Sequence, residues 1–202
     1  LHRFDQGACL ADDMGLGKTI QLLAFLQHLK AENELKRTVL LIAPTSVLTN
    51  WKREATAFTP ELNVHEHYGP KRPSTPAALK KALKDVDLVL TSYGLLQRDS
   101  ELLESIDWQG LVIDEAQAIK NSGTKQTRAV KELNSGSRIA MTGTPVENRL
   151  SDLWSLFDFL NPGLLGTAKE FGSTCAFLCS QHAGFIVGQN ILADGGAFNS
   201  TL

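Results

Sequence analysis

Four short apolar, β-branched runs, at residues 38–43, 86–91, 111–113 and 138–141, alternate with segments of helical periodicity at 19–30, 47–58, 76–84, 125–133 and 147–160. A strand that must return parallel to its predecessor needs a crossover segment, and a helix is the usual one. The pattern therefore predicts an α/β chain whose parallel sheet is covered by helices on both faces, a three-layer α/β/α arrangement. Such a sheet holds its ligand outside the carboxyl ends of its strands. The polar stretches after each run, 15–19, 44–46, 91–93, 114–117 and 142–145, are thus expected to converge on one site.

Composition narrows the class further. With 202 residues, 43% hydrophobic and 21% charged, the chain can bury one sizeable core. Its formal net charge of -2 supplies no global attraction to nucleic acid or anionic lipid, so any such contact has to be local. No apolar run reaches the roughly 18 residues of a bilayer span, and no charged-then-apolar leader opens the sequence. These readings predict no membrane partner and a cytoplasmic (nucleoid-associated) or nuclear location. Three cysteines, Cys9, Cys175 and Cys179, do not suggest an extracellular disulfide framework. The stretch Gly69-Pro70-Lys71-Arg72-Pro73 reads as an exposed basic loop.

The most specific chemistry lies in Ala11-Asp12-Asp13-Met14-Gly15-Leu16-Gly17-Lys18-Thr19. Closely spaced glycines let backbone N–H groups turn toward a polyphosphate, and a helix starting at Lys18 directs its positive dipole end there. Lys18 is placed to reach the β and γ phosphates, and Thr19 to complete the coordination of magnesium. The generic phosphate-loop pattern has glycine where this chain has Asp12, so the match is to a variant.

A second string, Leu111-Val112-Ile113-Asp114-Glu115-Ala116-Gln117, is an apolar strand ending in two acids. Adjacent carboxylates repel unless a cation or polar network holds them. Asp114 suits magnesium binding through its water shell, and Glu115 suits polarising the attacking water. Taken alone, the pair reads more readily as a solvated turn; joined to the loop 96 positions upstream it becomes a nucleotide site. A third string, Met141-Thr142-Gly143-Thr144-Pro145 with Glu147-Asn148 following, either links nucleotide state to a grip on DNA or is a Gly-Pro turn capped by Thr144. The residues alone allow both.

Five strings in order resemble the Swi/Snf-type helicase-like ATPase family: Ala-Asp-Asp-Met-Gly-Leu-Gly-Lys-Thr-Ile-Gln at 11–21, Ala-Pro-Thr-Ser-Val-Leu-Thr-Asn-Trp at 43–51, Leu-Thr-Ser-Tyr at 90–93, Ile-Asp-Glu-Ala-Gln at 113–117, and Thr-Gly-Thr-Pro-Val-Glu-Asn-Arg at 142–149. The resemblance spans about residues 8–166. It implies a P-loop NTPase of the RecA-like kind, one lobe of a two-lobed motor that hydrolyses ATP to translocate on double-stranded DNA.

By that resemblance Asp13, Met14, Gly15, Leu16, Gly17, Lys18 and Thr19 hold ATP, Thr19 and Asp114 serve Mg2+, and Lys18, Asp114 and Glu115 are catalytic. Gln117 is expected at the ATP site as well, where it couples the site. Pro44, Thr45, Ser46, Asn50, Ser92, Tyr93, Thr142 and Thr144 are expected near the DNA path or its coupling network. Hydroxyl and backbone contacts grip phosphates and carry no base information, so binding is expected to ignore sequence. Lys71, Arg72, Lys80, Lys81 and Lys84 could add positive charge near that path, although a solvated face is the simpler reading. Trp51, four residues after Val47 and seven before Phe58, has a spacing suited to core packing rather than base stacking.

Residues 1–166 are therefore read as a helicase-type ATP-binding lobe and 167–202 as an appended tail. The tail, with Gly188-Gln189-Asn190 six positions before Asp194-Gly195-Gly196 begins to close it, resembles the C-terminal end of short-chain dehydrogenase/reductases and suggests a helix followed by a strand. An oxidoreductase needs a glycine fingerprint and a tyrosine with lysine four positions on. Here Tyr68 and Tyr93 are followed at that distance by Arg72 and Gln97, and no G-x-G-x-x-G occurs. Cys175, Cys179 and His182 suit packing better than metal ligation. A second RecA-like lobe, which would supply an arginine worth about 10³ to 10⁵ in rate, is an expected partner, so ATP binding is expected to survive better than hydrolysis in a fragment.

Overall fold

The computed structural model describes residues 6–144 and 150–178. Six strands form one sheet: β1 (Ala8–Leu10), β2 (Val39–Ala43), β3 (Val64–Glu66), β4 (Leu88–Ser92), β5 (Trp108–Ile113) and β6 (Ser135–Met141). Their spatial order is β1-β6-β5-β2-β4-β3, and every neighbouring pair is parallel. The helices between them are α1 (Lys18–Ala31), α2 (Thr45–Phe58), α3 (Pro76–Ala82), α4 (Tyr93–Arg98), α5 (Ser100–Glu104), α6 (Lys125–Glu132), α7 (Leu150–Leu160) and α8 (Ala168–Leu178), with a 3₁₀ turn at Ala116–Ile119.

Successive strand residues point to opposite faces, and the core divides accordingly. Leu41, Leu88, Leu90, Val112 and Met141 join Leu23 and Leu26 of α1 and Leu48 and Trp51 of α2 on one side. Leu40, Ile42, Val89, Leu111, Ile113 and Ala140 meet Leu79, Leu96, Val130, Leu156 and Phe159 on the other. The two layers of helices thus follow from the alternation within β2, β4, β5 and β6, and the α/β/α architecture expected from the sequence is the one observed.

Several elements differ from the sequence reading. The edge strands β1 and β3 have only three residues each, too few for an alternation to show, and α4 and α5 are too short for a helical period to show. Arg138 lies inside β6 yet folds its guanidinium onto helix ends, donating to the carbonyls of Phe159, Lys131 and Leu133 at 3.1, 3.1 and 3.0 Å. The basic loop is only partly exposed. Arg72 pairs with Asp99 through Nε (2.6 Å) and Nη2 (3.1 Å) and also donates to the Gly69 carbonyl, whereas Lys71, Lys80, Lys81 and Lys84 are exposed.

In the tail, Thr167 and Glu170 form a capping box for α8: the Glu170 carboxylate accepts from the Thr167 amide at 2.7 Å, and the Thr167 hydroxyl accepts from the Glu170 amide at 3.3 Å. Helix α8 packs along α7, so it is not an isolated appendage. The strand expected in the tail, together with Pro145, Glu147, Asn148, Cys179 and His182, lies outside the described residues. No described helix is long and apolar enough to cross a membrane.

Candidate functional site

The loop between β1 and α1 turns on Gly15 (φ 85°) and Gly17 (φ 74°), left-handed positions that side chains rarely adopt. Gly17 is the N-cap residue of α1, and no side chain caps that end. The first amides of a 14-residue helix are therefore available to an anion. Asp12 does not need a left-handed backbone, which explains why glycine is dispensable there. Its carboxylate instead accepts from Gln21 Nε2 at 3.1 Å, and the same nitrogen reaches the Leu16 carbonyl at 3.1 Å. The Lys18 ammonium bridges the Asp12 and Asp13 carbonyls at 2.7 and 3.0 Å.

Across the loop, the end of β5 delivers Asp114 and Glu115. Asp114 Oδ2 accepts the Trp51 indole N–H at 2.8 Å, and Oδ1 accepts the Glu115 amide at 2.9 Å. Burial raises the Asp114 carboxyl above its ordinary range; the Trp51 and Glu115 hydrogen bonds oppose this, the Glu115 charge adds to it, and the Lys18 charge again opposes it. Asp114 is half-buried, and a cation beside it would favour its charged form. Glu115 adopts a left-handed backbone (φ 52°, ψ 58°), an uncommon conformation for a non-glycine residue and one that concentrates at working sites.

From Glu115 a hydrogen-bond chain runs to the end of β6. Gln117 Nε2 donates to Glu115 Oε2 at 2.6 Å, the Thr142 hydroxyl donates to Gln117 Oε1 at 3.1 Å, and the Thr144 amide donates to the Thr142 hydroxyl at 3.1 Å. Gly143 permits this approach, since a Cβ there would come within 3.0 Å of Met14 Cγ in the phosphate loop. These hydrogen bonds join the third string to the acidic pair.

A cavity of about 330 Å³ collects Met14, Gly15, Gly17, Lys18, Thr19, Asp114 and Glu115. The loop, the lysine and the acidic pair, 96 positions apart in sequence, thus share one wall of space. The same cavity is lined by Val47, Asn50, Trp51 and Glu54, one face of α2. Asp13 and Leu16 are exposed and do not line this cavity. The residues present fit a nucleoside triphosphate with a divalent cation: an open glycine cradle, an uncapped helix start, an ammonium, and a half-buried carboxylate on the same cavity.

The residues expected near the DNA path divide. Thr45, Ser46 and Thr144 are exposed and Pro44 is half-buried, at the carboxyl ends of β2 and β6. Asn50 is exposed but faces the phosphate cavity. Ser92 (3% exposed), Tyr93 (6%) and Thr142 (2%) are buried. Their hydroxyls work inward: Ser92 caps α4, Tyr93 donates to the Asp114 carbonyl at 2.8 Å, and Thr142 serves the Gln117 chain. Burial, followed by the charges of Asp114 and Glu115, pushes the Tyr93 phenol far up, so it stays a donor.

Sequence reasoning missed Gln21, Glu54 and the polar role of Trp51. The signal for the last two was present as the 47, 50, 51, 54 spacing, which marks one helical face. What that face looks onto is not written in the spacing.

The SNF2-related domain family matches residues 1–184. Over 165 residues the chain is 53% identical to the putative ATP-dependent helicase/translocase YwqA of Bacillus subtilis, a stretch covering 82% of this chain and 18% of that protein. Over 172 residues it is 38% identical to the ISWI chromatin-remodeling complex ATPase ISW1 of Saccharomyces cerevisiae, covering 85% of this chain and 15% of that one. The solved structure of the Sulfolobus solfataricus SWI2/SNF2 ATPase core in complex with dsDNA superposes with a TM-score of 0.74 at 44% identity, covering 96% of this chain and 38% of that one. The chain spans less than a fifth of the length of these two curated relatives. With the family match reaching from residue 1 to 184 and the fold shared with a SWI2/SNF2 core, the chain belongs to the SNF2-related domain family.

Proposed function

We propose that this chain is the ATP- and Mg2+-binding lobe of a DNA-dependent ATPase of the translocating kind. The observation that carries the reading is the shared cavity of Lys18, Thr19, Asp114 and Glu115. The Gly15 to Thr19 amides and the Lys18 ammonium neutralise the phosphates, and the N-terminal end of α1 adds its dipole. Thr19 and Asp114 hold the cation, which when bound neutralises charge developing on the phosphoryl oxygens. Glu115, oriented by Gln117, accepts a proton from the attacking water.

Double-stranded DNA, gripped through its phosphates without regard to sequence, is the proposed partner, with a second RecA-like lobe completing the hydrolytic site. The exposed hydroxyls of Thr45 and Ser46 support that placement, as does the dsDNA bound to the Sulfolobus core. DNA as partner also favours a nucleoid-associated or nuclear setting. The family match through residue 184 and the packing of α8 on α7 support assigning residues 167–184 to this lobe rather than to an oxidoreductase-like tail.

Titration of the chain with ATP and Mg2+ tests the reading. Lys18→Ala is expected to weaken binding by at least about tenfold, as loss of a charge-assisted contact implies; equal affinity in both proteins would remove it. DNA-stimulated phosphate release that disappears in Glu115→Gln separates a hydrolysing lobe from one that only binds.

A further inference from the structure

Trp51 is 2% exposed and sits among the apolar side chains of α1, α2 and the sheet. Packing accounts for its bulk but not for the direction of its nitrogen, because a phenylalanine would fill much of the same space. The indole N–H meets Asp114 Oδ2 at 2.8 Å, and among the hydrogen bonds described it is the one that a side chain donates to that carboxylate. The other tryptophans give theirs to backbone carbonyls, Trp108 to Leu103 and Trp154 to Gly166.

With Oδ1 held by the Glu115 amide and the Asp114 carbonyl held by the Tyr93 hydroxyl, the acid is fixed at both carboxylate oxygens and at its backbone. Each carboxylate oxygen keeps further acceptor capacity for the cavity side. Groups that orient a ligating carboxylate typically matter about 10- to 100-fold in metal affinity. Helix α2 is also the element whose first turn follows β2 directly and whose 47, 50, 51, 54 face lines the phosphate cavity.

We propose that Trp51 is a positioning residue for the divalent cation: its indole N–H fixes the rotamer of Asp114, so that the seating of α2 sets the geometry of the metal side of the site. The proposal rests on the ATP and Mg2+ reading above. A shift of α2, whose exposed first turn carries Thr45 and Ser46, then reaches Asp114 through one hydrogen bond rather than through the core.

The test replaces Trp51 in the full chain by 3-benzothienylalanine, which keeps the bicyclic shape and puts sulfur in place of N–H. ATP affinity is measured with Mg2+ and with EDTA. The unmodified chain is expected to bind more tightly with Mg2+; the analogue is expected to lose about tenfold of that enhancement while its affinity in EDTA stays within about twofold. In 15N-tryptophan-labelled chain, Asp114→Asn is expected to shift the Trp51 indole resonance and to leave those of Trp108 and Trp154 in place.

An enhancement retained by the analogue, or an equal loss with and without Mg2+, overturns the positioning role alone. An unmodified chain that binds ATP equally with and without Mg2+ overturns the metal reading and the proposal with it. If the analogue does not fold, the indole resonance decides, and a Trp51 signal unmoved by Asp114→Asn overturns the proposal.

Discussion

Gln21, in the first turn of α1, donates one side-chain nitrogen to both the Asp12 carboxylate and the Leu16 carbonyl, each at 3.1 Å, and so ties the two limbs of the phosphate loop together. A loop built on two left-handed glycines has little side-chain packing to hold it, and this amide supplies part of the restraint. Gln21→Ala is expected to weaken ATP binding about three- to tenfold, the worth of one such hydrogen bond (about 0.5–1.5 kcal/mol), with little change in stability because the contact is exposed. Titration with a fluorescent ATP analogue checks this; unchanged affinity would mean that the loop keeps its shape without Gln21.

Thr142 connects Gln117 to the Thr144 amide in a setting 2% exposed. Thr142→Val keeps the volume and removes both bonds, so the half-buried Gln117 oxygen loses its Thr142 donor. The urea midpoint is expected to fall by an amount equivalent to about 1–3 kcal/mol, while Thr142→Ser, which keeps the hydroxyl, loses less. A valine variant as stable as the parent would show that water satisfies the chain.

His65 in β3 predicts acid sensitivity. Burial, then the neighbouring His67, lowers the His65 pKa below its ordinary value, with Glu66 opposing. A depressed folded-state value means that the unfolded chain takes up the proton first. Stability is therefore full above the ordinary histidine pKa of about 6.5 and falls as pH drops through the lower, folded value. Asp99, held low first by its Arg72 hydrogen bond, loses its contribution only below the ordinary carboxylate range, so the two windows are separate. Denaturant midpoints between pH 7.5 and 5 (chosen to bracket about 6.5) should decline, and His65→Gln should flatten the decline; an equally steep curve would exclude His65 as its source.

Arg138 answers three carbonyls at the ends of α6 and α7, and its guanidinium lies 5.3 Å from the Phe159 ring centroid. Burial lowers its pKa, with Asp158 partly compensating. Arg138→Met fills the space but leaves those acceptors without a partner, and is expected to cost about 2–4 kcal/mol. Thermal unfolding checks this, and a loss below about 0.5 kcal/mol would show that the carbonyls find water.

The interior strands and the long helices were legible in the sequence because each carries enough apolar residues to show its period. Strands β2, β4, β5 and β6 read directly, whereas β1 and β3, three residues each at the sheet edges, gave no alternation to read. Arg138 looked like a strand residue and Arg72 like loop charge. Their carbonyl and Asp99 partners sit on other elements, so nothing local could reveal them.

The sequence by itself determined the layer order, the phosphate loop and the identity of the acidic pair, since glycine placement, charge and apolar period are local properties of the chain. Only the tertiary structure decided that Asp12 is tied to Gln21, that Ser92, Tyr93 and Thr142 turn their hydroxyls inward, and that Trp51 holds Asp114. Such pairings depend on how deep a side chain lies and which strand end faces it, and those are set by the crossover of α2 and the parallel register of β2 against β5.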